Sequence, residues 1–244
     1  MPTGVIWEQD AKYFYYNHGP LARTEIGDDK VQAQDYVYTL QGWLKGVNSN
    51  TQNTTRDPGK DGSTGTLYKD YVADIHAKIG KDAYGYSLSY FNKVSGVNND
   101  DYLAIWGSNN AVANDFEADA SASPAYMTDA PNLFNGNIKR MVTTFTDIKP
   151  GSPTIGQALP QITAYKYDQL NRIAQLKAYR DINVSTNVSG AATSNAYLST
   201  MSYDANGNLL TMNVNGEASN LGMDQLQYKY DWYDVNDPSK GKRS

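Results

Sequence analysis

Asp204, Asn206 and Asn208 stand at alternate positions around Gly207, the spacing with which oxygen donors open a calcium loop. Such a loop needs a bidentate acid at its twelfth position, and Asn215 stands there instead. The same residues match an Asn-Gly hairpin turn more closely. Asp57 to Gly62, "DPGKDG", has a weaker calcium pattern and reads better as a flexible loop. Asp28-Asp29 and Asp100-Asp101 are adjacent acids. Neighbours on a strand point to opposite faces, so neither pair makes the facing carboxylates of a glycosidase.

Other chemistry is sparse. His18 and His76 are the only histidines, far apart in the chain, and there is no cysteine, which excludes thiol chemistry and argues against a zinc site. The chain has no Gly-x-Ser-x-Gly elbow, phosphate-binding loop or dinucleotide fingerprint. The expectation is a protein that is not an enzyme and has no catalytic residues, bound metal or cofactor. Trp43, Trp106 and Trp232 lie near turns or loops and could stack on sugars, although packing within a sheet is the commoner fate of such rings.

A repeated pattern shapes the rest. "YDQLNRIAQLKAY" begins at Tyr167 and "YDANGNLLTMNVNG" at Tyr203: Tyr-Asp, a short polar gap, then an aliphatic run. A pattern that returns is a building unit. Asp168 and Asp204 end a strand and can accept hydrogen bonds from turn amides, and the aliphatic residue opens the partner strand. "YFYYNHGPLARTEIG" follows the same order, with Tyr16-Asn17 in place of Tyr-Asp and a break at Gly19 before Leu21 and Arg23. So does "DYVYTLQGWLKGVN", with Tyr38-Thr39, Gly42, Trp43 and Leu44. Asn171-Arg172 and Asn206-Gly207 carry the turns of the later units, with Leu209 opening the last return. Asn135-Gly136 lies between apolar flanks as a hairpin cue, and Tyr230-Asp231 opens one more unit.

Composition agrees. Tyr supplies 20 residues against 5 Phe, hydrophobic content is 40% and mean hydropathy is -0.62. Tyr pairs a large apolar body with a wet tip, which suits a sheet with little sealed interior. The expected fold is mainly all-β: repetitive antiparallel hairpins forming part of a spiralling sheet, with one short helix and two long loop insertions. Residues 1–47 hold the first hairpin repeats and 48–65 form a polar insertion. Residues 66–107 hold strands and a helix over Leu67 to Gly80, where Tyr71, Ile75 and Ile79 recur at four-residue spacing. Residues 108–132 form a second polar insertion, and 133–244 hold further hairpins, incomplete at the C-terminus.

The net charge of -5 gives no basic footprint for nucleic acid, and no apolar run approaches the roughly 20 residues of a membrane span. The start has no signal-peptide pattern, and the chain reads as a piece of a longer protein.

These units resemble the YD-repeat, or Rhs-repeat, family. "YYNHGPLARTEIG", "YTLQGWLKGVNSN" and "LFNGNIKRMV" are similar to segments of the large YD-repeat proteins of Bacteroidetes-type bacteria. The resemblance implies a hollow β-shell on a secreted or surface protein, with the rest of the same polypeptide as partner: further repeats and a C-terminal effector of the polymorphic-toxin type. It departs from the family in lacking the core signature that cleaves off the effector. The alternative is a carbohydrate-binding or adhesion module that presents loops 48–65 and 108–132 to cell-surface glycans. A hydrolase with paired carboxylates is a distant third.

Overall fold

The computed structural model describes residues 8–50, 52, 57–62, 79–91, 131–148, 150–151, 158–179, 182–183, 188–189, 195–216 and 222–230. They form an all-β protein with no helix among the described residues. The strands are β1 (Ala11–Tyr15), β2 (Leu21–Ile26), β3 (Gln32–Tyr38), β4 (Leu44–Val47), β5 (Tyr84–Ser89), β6 (Arg140–Thr146), β7 (Ala158–Tyr167), β8 (Ile173–Tyr179), β9 (Ile182–Asn183), β10 (Val188–Ser189), β11 (Leu198–Tyr203), β12 (Leu209–Asn215) and β13 (Gly222–Gln227). Eleven of them make one antiparallel sheet in chain order, with β9 and β10 pairing apart as a small ribbon between β8 and β11. The sheet is open: β1 and β13 each pair on one side only among the described residues.

One hairpin geometry recurs four times. At Tyr16, Thr39, Asp168 and Asp204 the backbone N–H donates to the carbonyl four residues on, and that residue's own carbonyl accepts from the N–H three residues on. The donor three residues on is Gly19, Gly42, Asn171 or Gly207, each with positive φ. This is a type I turn followed by a left-handed residue, which favours Gly or Asn and leaves a bulge in the ladder. The ladder shifts at Tyr15, Tyr38, Tyr167 and Tyr203 accordingly. Each of these tyrosines then faces an aliphatic residue six positions later: Leu21, Leu44, Ile173 and Leu209. The repeated order of residues is the specification of this hairpin.

Two expectations change, at the first hairpin and at Asn135-Gly136. In the first hairpin the pair at the turn is Tyr15-Tyr16, one residue earlier than the Tyr16-Asn17 read from sequence, because Tyr16 N–H pairs with Pro20 O and Tyr16 O accepts from Gly19 N–H. Leu40 lies in the turn after β3 and is 96% exposed. Tyr197 precedes β11 in a left-handed conformation. Asn135-Gly136 makes a bend that joins no two strands, because Leu133 N–H and Lys139 N–H both return to the end of β5, at the carbonyls of Tyr90 and Ser89. The helix expected over residues 67–80 falls almost wholly outside the described residues, as do 108–130.

Burial is uneven. Val142 of β6, Ile162 and Ala164 of β7 and Tyr179 of β8 are sealed, whereas every residue of β13 is exposed. At the N-terminal end the covering layer is polar. Asn48, Ser49, Asn50, Gln52, Asp57 and Asp61, all within the expected flexible insertion, are buried. Their side chains and backbone take the place of an apolar layer by hydrogen bonding. Asn48 Nδ2 donates to Tyr84 O at 2.9 Å while its Oδ1 accepts from Asp35 N at 2.8 Å. Asn50 Nδ2 donates to Ser87 Oγ, Thr144 Oγ1 to Asn50 O, and Thr146 Oγ1 to Gln52 Oε1. A polar segment can be buried only when its groups find such partners.

Candidate functional site

Two constellations stand out: the links between hairpins, and an acidic centre beneath the polar segment.

The links are made by the repeat residues themselves. Tyr167 Oη donates to Ile138 O at 2.8 Å, Tyr203 Oη to Ile173 O at 2.7 Å, and Tyr16 Oη to Tyr36 O at 2.7 Å. In each the hydroxyl closes on a carbonyl 20–30 residues away, and Tyr90 Oη does the same at Leu44 O, 46 residues away. Asp168 Oδ1 accepts from the N–H groups of Leu170 and Arg172 at 2.9 and 3.0 Å, and Asp204 Oδ1 accepts from Asn206 and Asn208 at 2.9 and 2.8 Å. Arg172 pairs with Asp168 Oδ2 through Nε at 2.6 Å, donates to Asp204 O through Nη1 at 3.0 Å, and lies over the Tyr203 ring. One arginine thus joins two consecutive turns. Asn135 Nδ2 reaches Asn171 Oδ1 at 2.8 Å, and Trp43 packs on Tyr90 and Gly136. Asn17 is exposed in its turn, Tyr230 follows β13 and is exposed, and Asp231 lies outside the described residues.

Turn amides and, for Asp168, the Arg172 guanidinium hold both carboxyls below the usual carboxylate range; for Asp204 the Asn208 side chain is the leading cause. Their contribution to stability is therefore present above the unfolded carboxylate value and disappears as pH falls through the lowered folded one. Asp168→Asn keeps the Oδ1 acceptor and loses the ion pair, while Asp168→Ala loses both. Thermal melting at neutral pH is expected to rank wild type above Asn above Ala; at acid pH wild type should fall towards Asn, while Asn stays above Ala.

The acidic centre was not visible as a unit in the sequence. Arg23 of β2 stands directly opposite Asp35 of β3, so their side chains share a face. Arg23 Nη1 donates to Asp35 Oδ2 at 2.5 Å, Nη2 to Asp61 Oδ1 at 2.7 Å, and Nε to Glu25 Oε1 at 3.4 Å. The loop 57–62 is folded on itself: Asp61 N–H donates to Asp57 Oδ2 at 3.1 Å, and Lys60 and Gly62 take positive φ. Gly59 lets it lie against the ion pair, since a Cβ there would collide with Arg23 Nη1 and Asp35 Oδ2. One carboxylate oxygen each from Asp35, Asp57 and Asp61 lie within 4.8 Å of one another. Asp82, just before β5, is 4% exposed and faces Asp57.

Charge is unbalanced here. Burial pushes Asp82 up to about 9, with Asp57, Asp61 and Asp35 adding repulsion. Burial also carries Asp35 up to about 7 in spite of Arg23. Burial alone would lower Arg23, but its bonds to Asp61 and Asp35 outweigh it and the guanidinium stays charged. For Asp35 and Asp82 the folded state binds protons more tightly than the unfolded one. That stability is complete below the ordinary carboxylate value of about 3.9 and is lost as pH rises through about 7 and about 9. In chelator, the melting temperature is expected to fall between pH 5 and pH 9; a flat or rising profile would contradict the buried placement of these groups.

The fold defines an open antiparallel meander built from one repeated hairpin. No protein-family model matches the chain, and no curated protein matches it.

Proposed function

We propose that this chain is a non-catalytic wall segment of a YD-repeat β-shell, belonging to a secreted or surface protein that encloses or presents a C-terminal effector. The observation that carries the reading is the uninterrupted sheet in which the hairpins are bonded to one another by their own repeat residues, Tyr167 to Ile138, Tyr203 to Ile173 and Arg172 to Asp204. Such a unit adds to its neighbour without a new core, which lets a sheet extend through many copies. The two open edge strands supply places for further strands of the same polypeptide. The effector itself rests on the resemblance of the Tyr-Asp units to that family. The test is to sequence the DNA on both sides of the coding segment. A frame that runs on through more Tyr-Asp hairpins into a divergent C-terminal domain supports the proposal; stop codons bounding these 244 residues would overturn it.

A further inference from the structure

We propose that the buried carboxylates of Asp57, Asp61, Asp35 and Asp82 bind a hard divalent cation of the calcium type, which locks the polar loop 57–62 onto strands β2 and β3. This inference does not depend on the sheet being a shell wall.

The donors are all carboxylate oxygens, the set that suits Ca2+ and offers nothing to softer metals. Those of Asp35, Asp57 and Asp61 converge within 4.8 Å, a span that oxygens coordinated at about 2.4 Å can share. A second observation points to a ligand. Asp57 is 2% exposed and its Oδ1 has no hydrogen-bond partner; Asp82, outside that trio, is 4% exposed, turned towards Asp57, and its Oδ1 has none either. Two sealed carboxyls that face each other must share either a proton or a cation. Arg23 does not fill the role, because its nitrogens are committed to Asp35 Oδ2, Asp61 Oδ1 and Glu25 Oε1. Its one positive charge also cannot balance the four neighbouring aspartates. Mg2+ holds its waters more firmly than Ca2+ and fits a dry all-carboxylate cage less well.

The test uses the full chain, stripped with chelator and titrated with CaCl2 and separately with MgCl2 at pH 7.5, read by calorimetry and by thermal melting. One saturable Ca2+ site is expected, with a melting temperature raised by about 5–10 °C at 100 times the dissociation constant. Mg2+ should bind at least tenfold more weakly. Asp82→Asn separates binding from folding: its amide keeps a donor where the chelated chain holds a protonated carboxyl, so the chelated variant should melt no lower than wild type, yet its Ca2+ affinity should fall by tenfold or more. Asp224→Asn, on exposed β13, should leave the affinity unchanged. No heat and a melting temperature unmoved by millimolar Ca2+ would mean that the two carboxyls share a proton, and would overturn the proposal. Ca2+ binding that survives Asp82→Asn and Asp57→Asn would place the ion elsewhere and overturn it equally.

Discussion

Replacing Arg23 with methionine is expected to destabilise the folded chain, measured in chelator, by about 3–5 kcal/mol, the range seen when one member of a buried ion pair is removed. Methionine keeps most of the side-chain volume, so the loss reports charge rather than a cavity. The Arg23 guanidinium is the cation bonded to both Asp35 and Asp61, and without it two nearly sealed carboxylates face each other. They would respond by taking up protons, so the variant should lose more stability at pH 8 than at pH 5. Arg23→Lys is expected to restore little, because a single ammonium cannot reproduce the fork that spans two acids on different segments. Adding Asp61→Asn to Arg23→Met should recover part of the loss, since the two residues touch and their effects cannot be additive. A drop of less than about 1 kcal/mol would mean that Arg23 is solvated, in the range of surface ion pairs, and that the polar loop does not cover it.

Ile162→Ala should cost about 2–5 kcal/mol, a fall in melting temperature of roughly 5–15 °C for a chain of this size. Ile162 is fully buried on β7 and stands opposite Val142 on one side and Tyr179 on the other, both themselves sealed. Three adjacent strands lose contacts at once. The same kind of truncation at Leu226 of β13 should change stability by no more than about 0.5 kcal/mol, because that side chain is exposed already. The pair of values tests the gradient of burial along the sheet. Equal effects at the two positions would mean that β13 is covered in solution.

The hairpins were legible in the sequence because everything that specifies them is local. Seven consecutive residues set the tyrosine, the left-handed Gly or Asn and the facing aliphatic residue, so the alternation and the turn residues can be read without knowing what lies across the sheet. The one-residue error in the first hairpin has a local cause as well. Asn17 was read in the place of the aspartate, but it is Tyr16 N–H that pairs across the turn, with Pro20 O, and a proline's missing donor does not matter there. Asn135-Gly136 misled for the opposite reason: the dipeptide signals a tight turn, yet whether two strands meet at it depends on Leu133 and Lys139 finding the distant end of β5.

The acidic centre was illegible because its members come from four separate segments. Asp57 and Asp61 carried a faint local signal in their spacing around Gly59, but nothing local ties them to Asp35 or Asp82. Arg23 was read as part of the repeat, and its reach to Asp61 follows from the register of β2 on β3. The stretch from Asn48 looked like loop because runs with almost no apolar residue rarely repay their ordering. Here Asn48 and Asn50 bond to strand backbone and side chains, and that gain exists only once the sheet has formed.

The most direct test of the open, extendable sheet is sedimentation velocity across a hundredfold range of concentration, with hydrogen exchange followed at the β13 amides in the same samples. β12 pairs β13 on one side only, and the other side presents unpaired backbone among the described residues. The expected result is association that grows with concentration, accompanied by new protection of β13 amides as edges pair. A single monomeric boundary at every concentration, with β13 protected as strongly as β7, would contradict it: the sheet would then be closed, and the chain a finished domain rather than a wall segment.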